Sequence, residues 1–315
     1  FNRPYEFGGE KIGGPPDEPA YRWEKFDAAT AELEAHRLKT MYVCAYTPRM
    51  LQDERGSWQG KPKDLAAFAR ICRDFADHWR KTRRAHYYEV WNEPDLTDVF
   101  FHDTLEDYLD IYHHVSRALR EGDPDALIGG PSLAYKDEWM PAFLDYVKRR
   151  RLPLDYISYH HYGDIRPKVG HMRQHLVGEP AFATVQTLIT EFHSIRNGQP
   201  GFSMGGEIET YEGAHLLLRD FKWFLEQPDV NKVYWAQYSD PEVYNDKYVD
   251  RCGLLTTDGH RKALFNAFRI YGEMPVERYA FASSNEAIDG MASADGRKAS
   301  VVLWNNSGEE QETEA

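Results

Sequence analysis

Residues 87–95 read YYEVWNEPD, an apolar run that stops at an Asn-Glu-Pro triplet. Because proline cannot donate a hydrogen bond to a sheet, Pro94 predicts the end of a strand and leaves Glu93 at its carboxyl end. Farther along, residues 184–194 read TVQTLITEFHS, and a second apolar run ends at Glu191. Runs that are apolar throughout are typical of parallel strands buried on both faces. These two segments therefore favour a parallel sheet that carries both glutamates at one edge.

The rest of the chain alternates short apolar runs with amphipathic stretches, which is the pattern of parallel strands joined by crossover helices. Strands are predicted at residues 40–46, 86–92, 126–130, 154–161, 185–191 and 232–237. Helices are predicted at residues 20–39, 63–82, 104–120, 137–150, 206–226 and 260–272. The alternation predicts an α/β fold, a (β/α)8 TIM barrel, for which about 250 residues are usual.

The domain organisation follows from where this alternation starts and stops. A closed barrel needs eight strand–helix units and only six are visible, so we expect the first two strands to lie upstream of Phe1. After Tyr271 the pattern changes to short strands separated by turn residues, at residues 277–282, 290–293 and 299–304. We therefore expect an N-terminally incomplete barrel over residues 1–272 and the start of a C-terminal β-sandwich over residues 273–315.

The composition excludes several classes of function. The formal net charge of the 315 residues is −13, and such a surface repels phosphate backbones, so nucleic-acid binding is not expected. No apolar run approaches the ~18 residues of a membrane span. The three cysteines show neither an even count nor CxxC spacing, which argues against a disulfide framework or a zinc knot. Dinucleotide and phosphate-binding motifs are absent, and no cofactor is expected.

Two carboxylates at the carboxyl edge of a barrel lie where this architecture forms active sites. Cleavage of a glycosidic bond needs a proton for the leaving oxygen and a carboxylate that stabilises the oxocarbenium-like centre. Glu93 is predicted to supply the proton and Glu191 to attack the sugar. This double displacement retains the anomeric configuration when the carboxyl groups stand roughly 5–5.5 Å apart. The plainer alternatives are a solvated side chain at Glu93 and a structural salt bridge at Glu191.

A third predicted strand carries two further candidates. Residues 155–163 read DYISYHHYG, and strand periodicity places His160 and Tyr162 on one face. His160 is a candidate for contacting a sugar hydroxyl or positioning Glu93, and Tyr162 for a hydrogen bond to the nucleophile; core packing is the alternative for both. The adjacent pair His160 and His161 suggests a metal, but no third ligand at helical or hairpin spacing accompanies it, so no metal is expected.

The last predicted barrel strand supplies weaker candidates. Residues 233–240 read VYWAQYSD. Trp235 is a candidate platform for a sugar ring, although a tryptophan in a strand most often packs in a core, and Asp240 is a candidate contact from the following loop. Tyr46, at the end of the first predicted strand, and Tyr244, in the loop after the last one, are further candidates for lining the pocket.

The order strand–WNEP, strand–HHY, strand–TEF, strand–YW resembles the clan A glycoside hydrolases, which are (β/α)8 barrels. Within that clan the chain is most similar to glycoside hydrolase family 39, the family of β-xylosidases and α-L-iduronidases. Two more segments carry this likeness, RCGLLTTDGHRKALFNAF at residues 251–268 and KASVVLWNNS at residues 298–307. The family usually has Lys-Pro at the end of the barrel, where this chain has Lys262 and Ala263.

The resemblance implies a role for each matching residue. Glu93 matches the acid/base on the fourth barrel strand, and Glu191 matches the nucleophile on the seventh. Asn92 matches the residue that binds the C2 hydroxyl of the sugar. The remaining matches are the sixth-strand pair, His160 and Tyr162, and the eighth-strand platform, Trp235.

The function that the resemblance implies is a retaining, exo-acting glycosidase with a β-xyloside substrate. An endo-acting hydrolase of an exopolysaccharide is the alternative within the family. A catalytically inactive sugar-binding barrel and a metal-dependent hydrolase are the alternatives from other classes; the presence of both glutamates argues against the first. The expected partner is an oligo- or polysaccharide, and the sequence assigns neither a compartment nor an oligomeric state.

Overall fold

The computed structural model describes residues 12–82, 86–194, 210–240 and 253–307. The chain divides into two compact units. The first unit takes in the chain through His161 together with Arg166–Glu191 and Asp229–Tyr234, and the second takes in Tyr162–Ile165, Phe192–Pro228 and the chain from Trp235 onward. The domain boundary expected at residue 272 stays a prediction.

The described chain begins with a short antiparallel pair, β1 (Ile12–Gly13) and β2 (Ala20–Tyr21), and continues into a six-stranded sheet. The six strands are hydrogen-bonded in chain order: β3 (Met41–Cys44), β4 (Tyr87–Val90), β5 (Leu127–Leu133), β6 (Tyr156–Tyr162), β7 (Gln186–His193) and β8 (Lys232–Trp235). Their parallel pairing sets Tyr87 beside Met41 on one side and Leu127 on the other. This is the sheet of a partial (β/α)8 barrel, and the predicted fold class is confirmed.

Helices connect the strands as the alternation predicted. They are α1 (Trp23–Ala35), α2 (Leu65–Thr82), α3 (Leu105–Gly122), α4 (Trp139–Arg150), α5 (Arg166–Arg173), α6 (Tyr211–Leu225) and α7 (Ala263–Gly272). The start of α3 is fixed locally, because Thr104 and Asp107 form a capping box that satisfies backbone N–H groups at the helix terminus. Among the described helices, none combines the length and the apolar character needed to cross a bilayer.

Aromatic side chains pack α2 onto the sheet. Phe75 and Trp79 of α2 are fully buried, and the ring of Tyr42 from β3 stacks on Phe75 with centroids 5.4 Å apart. Tyr42 also packs against Trp79, with centroids 4.2 Å apart. Burial of each large apolar side chain contributes roughly 1.5–3 kcal/mol relative to exposure. This aromatic layer therefore packs α2 against β3, which in turn pairs with β4, the strand that leads to Glu93.

The second unit has its own core between α6, α7 and an antiparallel sheet. Three strands form this sheet in the order β11 (Ala299–Asn305), β10 (Ile288–Ala294), β9 (Arg278–Tyr279). Buried side chains from the helices, Leu217 and Leu264, cluster with Met291 and Trp304 of the sheet. The expected change to short β-strands after residue 272 is confirmed.

Three local differences from the sequence prediction have physical causes. The helix predicted from residue 20 begins at Trp23, because Ala20 and Tyr21 pair with β1. Strand β5 passes Gly130 and reaches Leu133, because its pairing with β6 continues across a register irregularity between Pro131 and Leu133. Helix α5 was not predicted, because its sequence RPKVGHMR contains both proline and glycine, which weaken a helical pattern.

Substitution of Gly129 tests the close approach of β5 to β6. A Cβ atom at this position would lie 2.4 Å from the ring and the carbonyl oxygen of Tyr156, so we expect Gly129→Ala to lower the free energy of unfolding by about 1–3 kcal/mol. Gly170→Ala is the matched control, because no atom lies within 4 Å of its Cβ and α5 gains helix propensity, about 0.5–1 kcal/mol. Urea unfolding followed by circular dichroism measures both; equal stabilities for the two variants would contradict this packing.

Candidate active site

Glu93 lies just beyond the end of β4 in a left-handed backbone conformation. The strand ends at Val90, and Trp91 and Glu93 have φ angles of 69° and 47°. Such angles are uncommon outside glycine and persist only where the surroundings hold them. The Glu93 N–H donates to the Ser132 carbonyl over 3.2 Å, which ties the turn to β5. A buried carboxyl group results at the carboxyl end of the strand.

Asp95 fastens the loop after β4 to the loop after β5. Its buried carboxylate accepts hydrogen bonds from three successive N–H groups, those of Ala134, Tyr135 and Lys136, over 2.9, 2.6 and 2.7 Å. Hydrogen bonds to an ionised acceptor are about twice as strong as neutral ones. Because Asp95 follows Glu93 by two residues, these bonds also restrict where Glu93 can move.

Glu93 and Glu191 meet at the carboxyl edge of the sheet. Glu191 lies near the end of β7 and is 8% exposed, compared with 7% for Glu93. One carboxyl oxygen of each residue, together with a ring nitrogen of His160, lies within 4.8 Å of the others. Carboxyl groups about 5–5.5 Å apart characterise retaining glycosidases, whereas inverting enzymes hold them at roughly 6.5–9.5 Å. The nearest carboxyl oxygens of Glu93 and Glu191 thus lie closer together than the lower limit for inverting enzymes.

His160 links the two glutamates. It extends from β6, is 1% exposed, and its Nδ1 lies 2.7 Å from Glu93 Oε1 and 3.5 Å from Glu191 Oε2. Two neighbouring carboxylates resist simultaneous ionisation, because each negative charge opposes the other. A proton shared between Nδ1 and Glu93 would remove that repulsion. The two carboxyl groups are thus distinguished by their distance from His160.

Asn92 is buried beside this pair, in the residue before Glu93. Its Nδ2 donates to the Tyr46 hydroxyl over 3.0 Å. The Tyr46 ring packs edge-on against Trp58 and Trp91, with centroids 4.6 and 5.6 Å apart. These contacts fix the orientation of the Asn92 amide, and Tyr46 therefore acts on the site through Asn92.

Tyr162, His193 and Trp235 form an aromatic cluster in the second unit. The rings of Tyr162 and His193 are stacked with centroids 6.4 Å apart, and those of His193 and Trp235 lie 4.0 Å apart. Burial lowers the pKa of His193 to about 3, so this ring is neutral at neutral pH. The two aromatic residues predicted to contact sugar thus flank a buried histidine that sequence reasoning did not single out.

Asp240 is held by partners within the second unit. Its Oδ2 lies 2.7 Å from Lys262 Nζ, and its Oδ1 accepts from the Gly253 N–H over 2.9 Å. Both charged side chains of this pair are buried, and removing one partner would leave an uncompensated charge. The sugar contact expected of Asp240 stays a prediction. Tyr244 lies outside the described residues.

The spacing of Glu93, His160 and Glu191 also meets the distance requirement for a metal-binding group. Ligands bound to one zinc ion at about 2.0–2.2 Å stand about 3 Å or more apart. The 2.7 Å between His160 Nδ1 and Glu93 Oε1 is shorter than that and matches a hydrogen bond. This contact is therefore a hydrogen bond between the histidine ring and the carboxyl group.

Two residues near the glutamates were missed by sequence reasoning. Ser132 was hidden because the strand was expected to stop at Gly130, whereas the backbone continues and turns through a φ of 59° at Ser132. Glu89 lies inside the quoted apolar run and was taken for a strand position only. A charged residue in a run buried on both faces is the signal that would have found it.

Comparison with known proteins decides the family of the chain. The family model for glycosyl hydrolases family 39 matches residues 69–309. The chain belongs to glycosyl hydrolases family 39. It is 32% identical over 269 residues to a beta-xylosidase from Caldicellulosiruptor saccharolyticus, across 78% of this chain and 54% of that protein. A beta-xylosidase from Geobacillus stearothermophilus is 26% identical over 161 residues, covering 47% of this chain and 32% of the relative.

Solved structures of the family share the fold of this family 39 chain. A GH39 enzyme from Xanthomonas axonopodis pv. citri superposes with a TM-score of 0.82 at 22% identity, over 96% of this chain and 64% of that one. A GH39 beta-xylosidase from Caulobacter crescentus gives a TM-score of 0.78 at 21% identity, over 92% and 66% of the two chains. The chain thus spans about half to two thirds of the length of these relatives.

The buried His193 predicts a pH dependence of stability. Its folded pKa is about 3, below the usual value of 6.5, so unfolding takes up a proton when the pH lies between these values. The contribution of neutral His193 is complete above about 6.5 and falls by up to about 1.4 kcal/mol per pH unit on acidification. His193→Asn keeps a donor for the Ser194 carbonyl and should flatten this dependence, measured by urea unfolding between pH 7 and 4.

His114→Asn is the matched control, because His114 is exposed on α3. Its unfolding free energy should follow the wild-type pH dependence. An unchanged slope in His193→Asn would show that His193 is not the group that resists protonation.

Proposed function

We propose that this chain carries the catalytic centre of a retaining glycoside hydrolase, with Glu93 as acid/base and Glu191 as nucleophile. The observation that supports this is the approach of the two buried carboxyl groups within 4.8 Å, with His160 between them. A merely structural role for either glutamate is a poorer account, because two buried carboxyl groups brought together cost stability and apolar side chains would fill the same space without that cost.

In the first half of the reaction Glu191 attacks the anomeric carbon and the bond to the leaving oxygen breaks. Glu93 transfers its proton to that oxygen as it departs, so the leaving group is released as an alcohol. The product is a glycosyl ester of Glu191 with inverted configuration, and Glu93 is now ionised. Since Glu191 has become neutral, the repulsion that kept Glu93 protonated is gone.

In the second half a water molecule attacks the anomeric carbon. Glu93 removes a proton from this water, the ester bond to Glu191 breaks, and the second inversion restores the original configuration. Glu93 ends protonated and Glu191 ionised, as at the start. One pair of carboxyl groups thereby performs both steps, because each step transfers the negative charge from one group to the other.

For the substrate we propose a β-xyloside from which an exo-acting enzyme removes single residues. The support is the resemblance to relatives named beta-xylosidase. Asn92, oriented by Tyr46, is the proposed partner of the C2 hydroxyl, a contact that strengthens as charge develops at the neighbouring carbon. Endo-acting hydrolysis of an exopolysaccharide remains the alternative. In either case the family resemblance supplies Tyr162 and Trp235 as further sugar-binding residues, and the sequence position of Asp240, in the loop after the last barrel strand, adds Asp240.

Replacement of the nucleophile tests the mechanism directly. In the full-length protein, Glu191→Ala should lower kcat for an aryl β-xyloside by several orders of magnitude, because the covalent intermediate cannot form. Added azide should restore part of the rate and give the α-configured glycosyl azide, identified by NMR. Wild-type protein should release β-xylose first. Initial release of the α-anomer, or loss of wild-type activity on adding a chelator, would overturn the retaining, metal-independent mechanism.

Replacement of the acid/base should depend on the leaving group. Glu93→Ala should slow hydrolysis of phenyl β-xyloside by roughly 10²–10⁴-fold, because this leaving oxygen needs a proton. Formation of the glycosyl ester from 2,4-dinitrophenyl β-xyloside should change far less, and a presteady-state burst of dinitrophenol should appear. Equal losses on the two substrates would remove Glu93 from the acid role. Activity on xylan polymer in preference to short aryl xylosides would favour the endo-acting alternative.

A further inference from the structure

Glu89 is a buried carboxyl group that the proposed reaction does not use. It lies on β4, four residues before Glu93, and has no exposed surface. Its Oε2 accepts a hydrogen bond from the Ser132 hydroxyl over 3.2 Å, and its Oε1 has no hydrogen-bond partner among the described residues. Burying a carboxyl group with a single donor is costly, and a hydrophobic residue would serve a strand interior better.

Ser132 and His160 join Glu89 to the proposed acid. The Ser132 hydroxyl lies 2.8 Å from His160 Nε2, and His160 Nδ1 lies 2.7 Å from Glu93 Oε1. Three hydrogen bonds therefore run without interruption from Glu89 through Ser132 and His160 to Glu93. All four side chains are at least nine-tenths buried, so bulk water does not compete along the path.

The hydrogen bonds in this path all point the same way, and whether Glu89 carries a hydrogen decides which way. A serine hydroxyl has one hydrogen, and when that hydrogen points to Glu89 the oxygen must accept from His160. Nε2 is then the protonated ring nitrogen, and Nδ1 faces Glu93 across one further shared proton. That proton is the one Glu93 needs as an acid. If Glu89 supplied a hydrogen instead, the whole path would reverse, and Nδ1–H would donate to an ionised Glu93.

We propose that Glu89 is a positioning residue whose negative charge, passed on through Ser132 and His160, keeps a proton at Glu93 for the first step of the reaction. The inference rests on the proposed function of Glu93. It adds a buried anion behind the histidine, so that the proton of the acid is bound more tightly than the pair Glu93 and Glu191 alone would bind it.

The same path favours Glu93 as a base in the second step. After Glu93 has given its proton to the leaving oxygen, the path still has three contacts, Glu89 to Ser132, Ser132 to His160 and His160 to Glu93. Only two hydrogen atoms remain for these three contacts, so at one contact two acceptor atoms face each other without a hydrogen. Taking a proton from water restores the missing hydrogen bond. The path thus returns Glu93 to its protonated state at the end of each turnover, with no net gain or loss of protons.

The groups around the path do not supply a competing proton at neutral pH. Among the described residues, the titratable side chains that interact with the Glu89 carboxyl group include three tyrosines, Tyr108 of α3, Tyr156 of β6 and Tyr234 of β8. Burial raises the pKa of each phenol, so all three stay neutral. On the Glu93 side, the acidic neighbours among the described residues include Glu191 of β7 and Asp95. Tyr135 faces the Glu93 carboxyl group, and its pKa is raised first by its own burial and then by Glu93.

The test replaces the charge and keeps the shape. Glu89→Gln should move the basic limb of the kcat/KM profile for phenyl β-xyloside to lower pH by roughly one unit, a tenfold loss on that limb. Ser132→Ala should give a shift in the same direction, because it breaks the path at its middle. Glycosyl-ester formation from 2,4-dinitrophenyl β-xyloside should change little in either variant, since this leaving group needs no proton.

A structural role would give a different result. If the substitutions only misplaced the catalytic groups, hydrolysis of both aryl xylosides would slow equally and the basic limb of the kcat/KM profile would stay at its wild-type pH. That outcome would overturn the proposal. The control is Ser116→Ala, which removes a buried hydroxyl of α3 that has no hydrogen-bond partner among the described residues; its profile should match wild type. In a Glu93→Ala background, Glu89→Gln should have no further effect, because the two act as one unit.

The direction of the path has a readout that does not depend on turnover. In ¹⁵N NMR of the full-length protein, His160 Nε2 should carry hydrogen in wild type, and Glu89→Gln should shift the ring toward the Nδ1–H form. A wild-type ring protonated at Nδ1 only would overturn the proposal. Absence of hydrolysis of any aryl xyloside, with the expected ring state intact, would count against the proposed function alone.

Discussion

The interaction on which the site depends is the hydrogen bond between His160 and Glu93. Two carboxyl groups cannot both be ionised at this distance inside a protein without a large electrostatic cost. His160 solves this by sharing a proton with one of them while remaining 3.5 Å from the other. In the proposed double displacement, the placement of this imidazole ring is what distinguishes the acid from the nucleophile.

The fold provides this placement through parallel strands. Neighbouring strands that point the same way deliver their terminal residues to one edge, so β4, β6 and β7 bring together residues far apart in the chain. The loops add the finer positions. Asp95 joins the loops after β4 and β5 by three backbone hydrogen bonds, and the bulge in β5 turns Ser132 toward the histidine. Rigid elements carry the reacting groups, which keeps them at the distance that the chemistry needs.

Buried ionisable groups elsewhere in the described chain avoid an unpaired charge in different ways. Asp240 and Lys262 form a buried ion pair in the second unit, at a place where the family usually has Lys-Pro. His193 stays neutral and packs against Trp235. Glu89 has a single hydrogen-bonded oxygen and is the exception among these groups, which is why we propose a role for its link through Ser132 to His160.

The sequence by itself determined the fold class, because continuous apolar runs follow from strands buried on both faces and amphipathic stretches from helices buried on one, and neither pattern needs knowledge of distant contacts. It also singled out Glu93 and Glu191, since a charged residue that closes an apolar strand stands out locally. Tertiary structure alone decided that the two carboxyl groups lie within 4.8 Å and that His160 hydrogen-bonds Glu93 rather than only sharing its edge. It alone revealed the path through Ser132, because that serine depends on a bulge, and a bulge reflects pairing between strands rather than the residues of one strand.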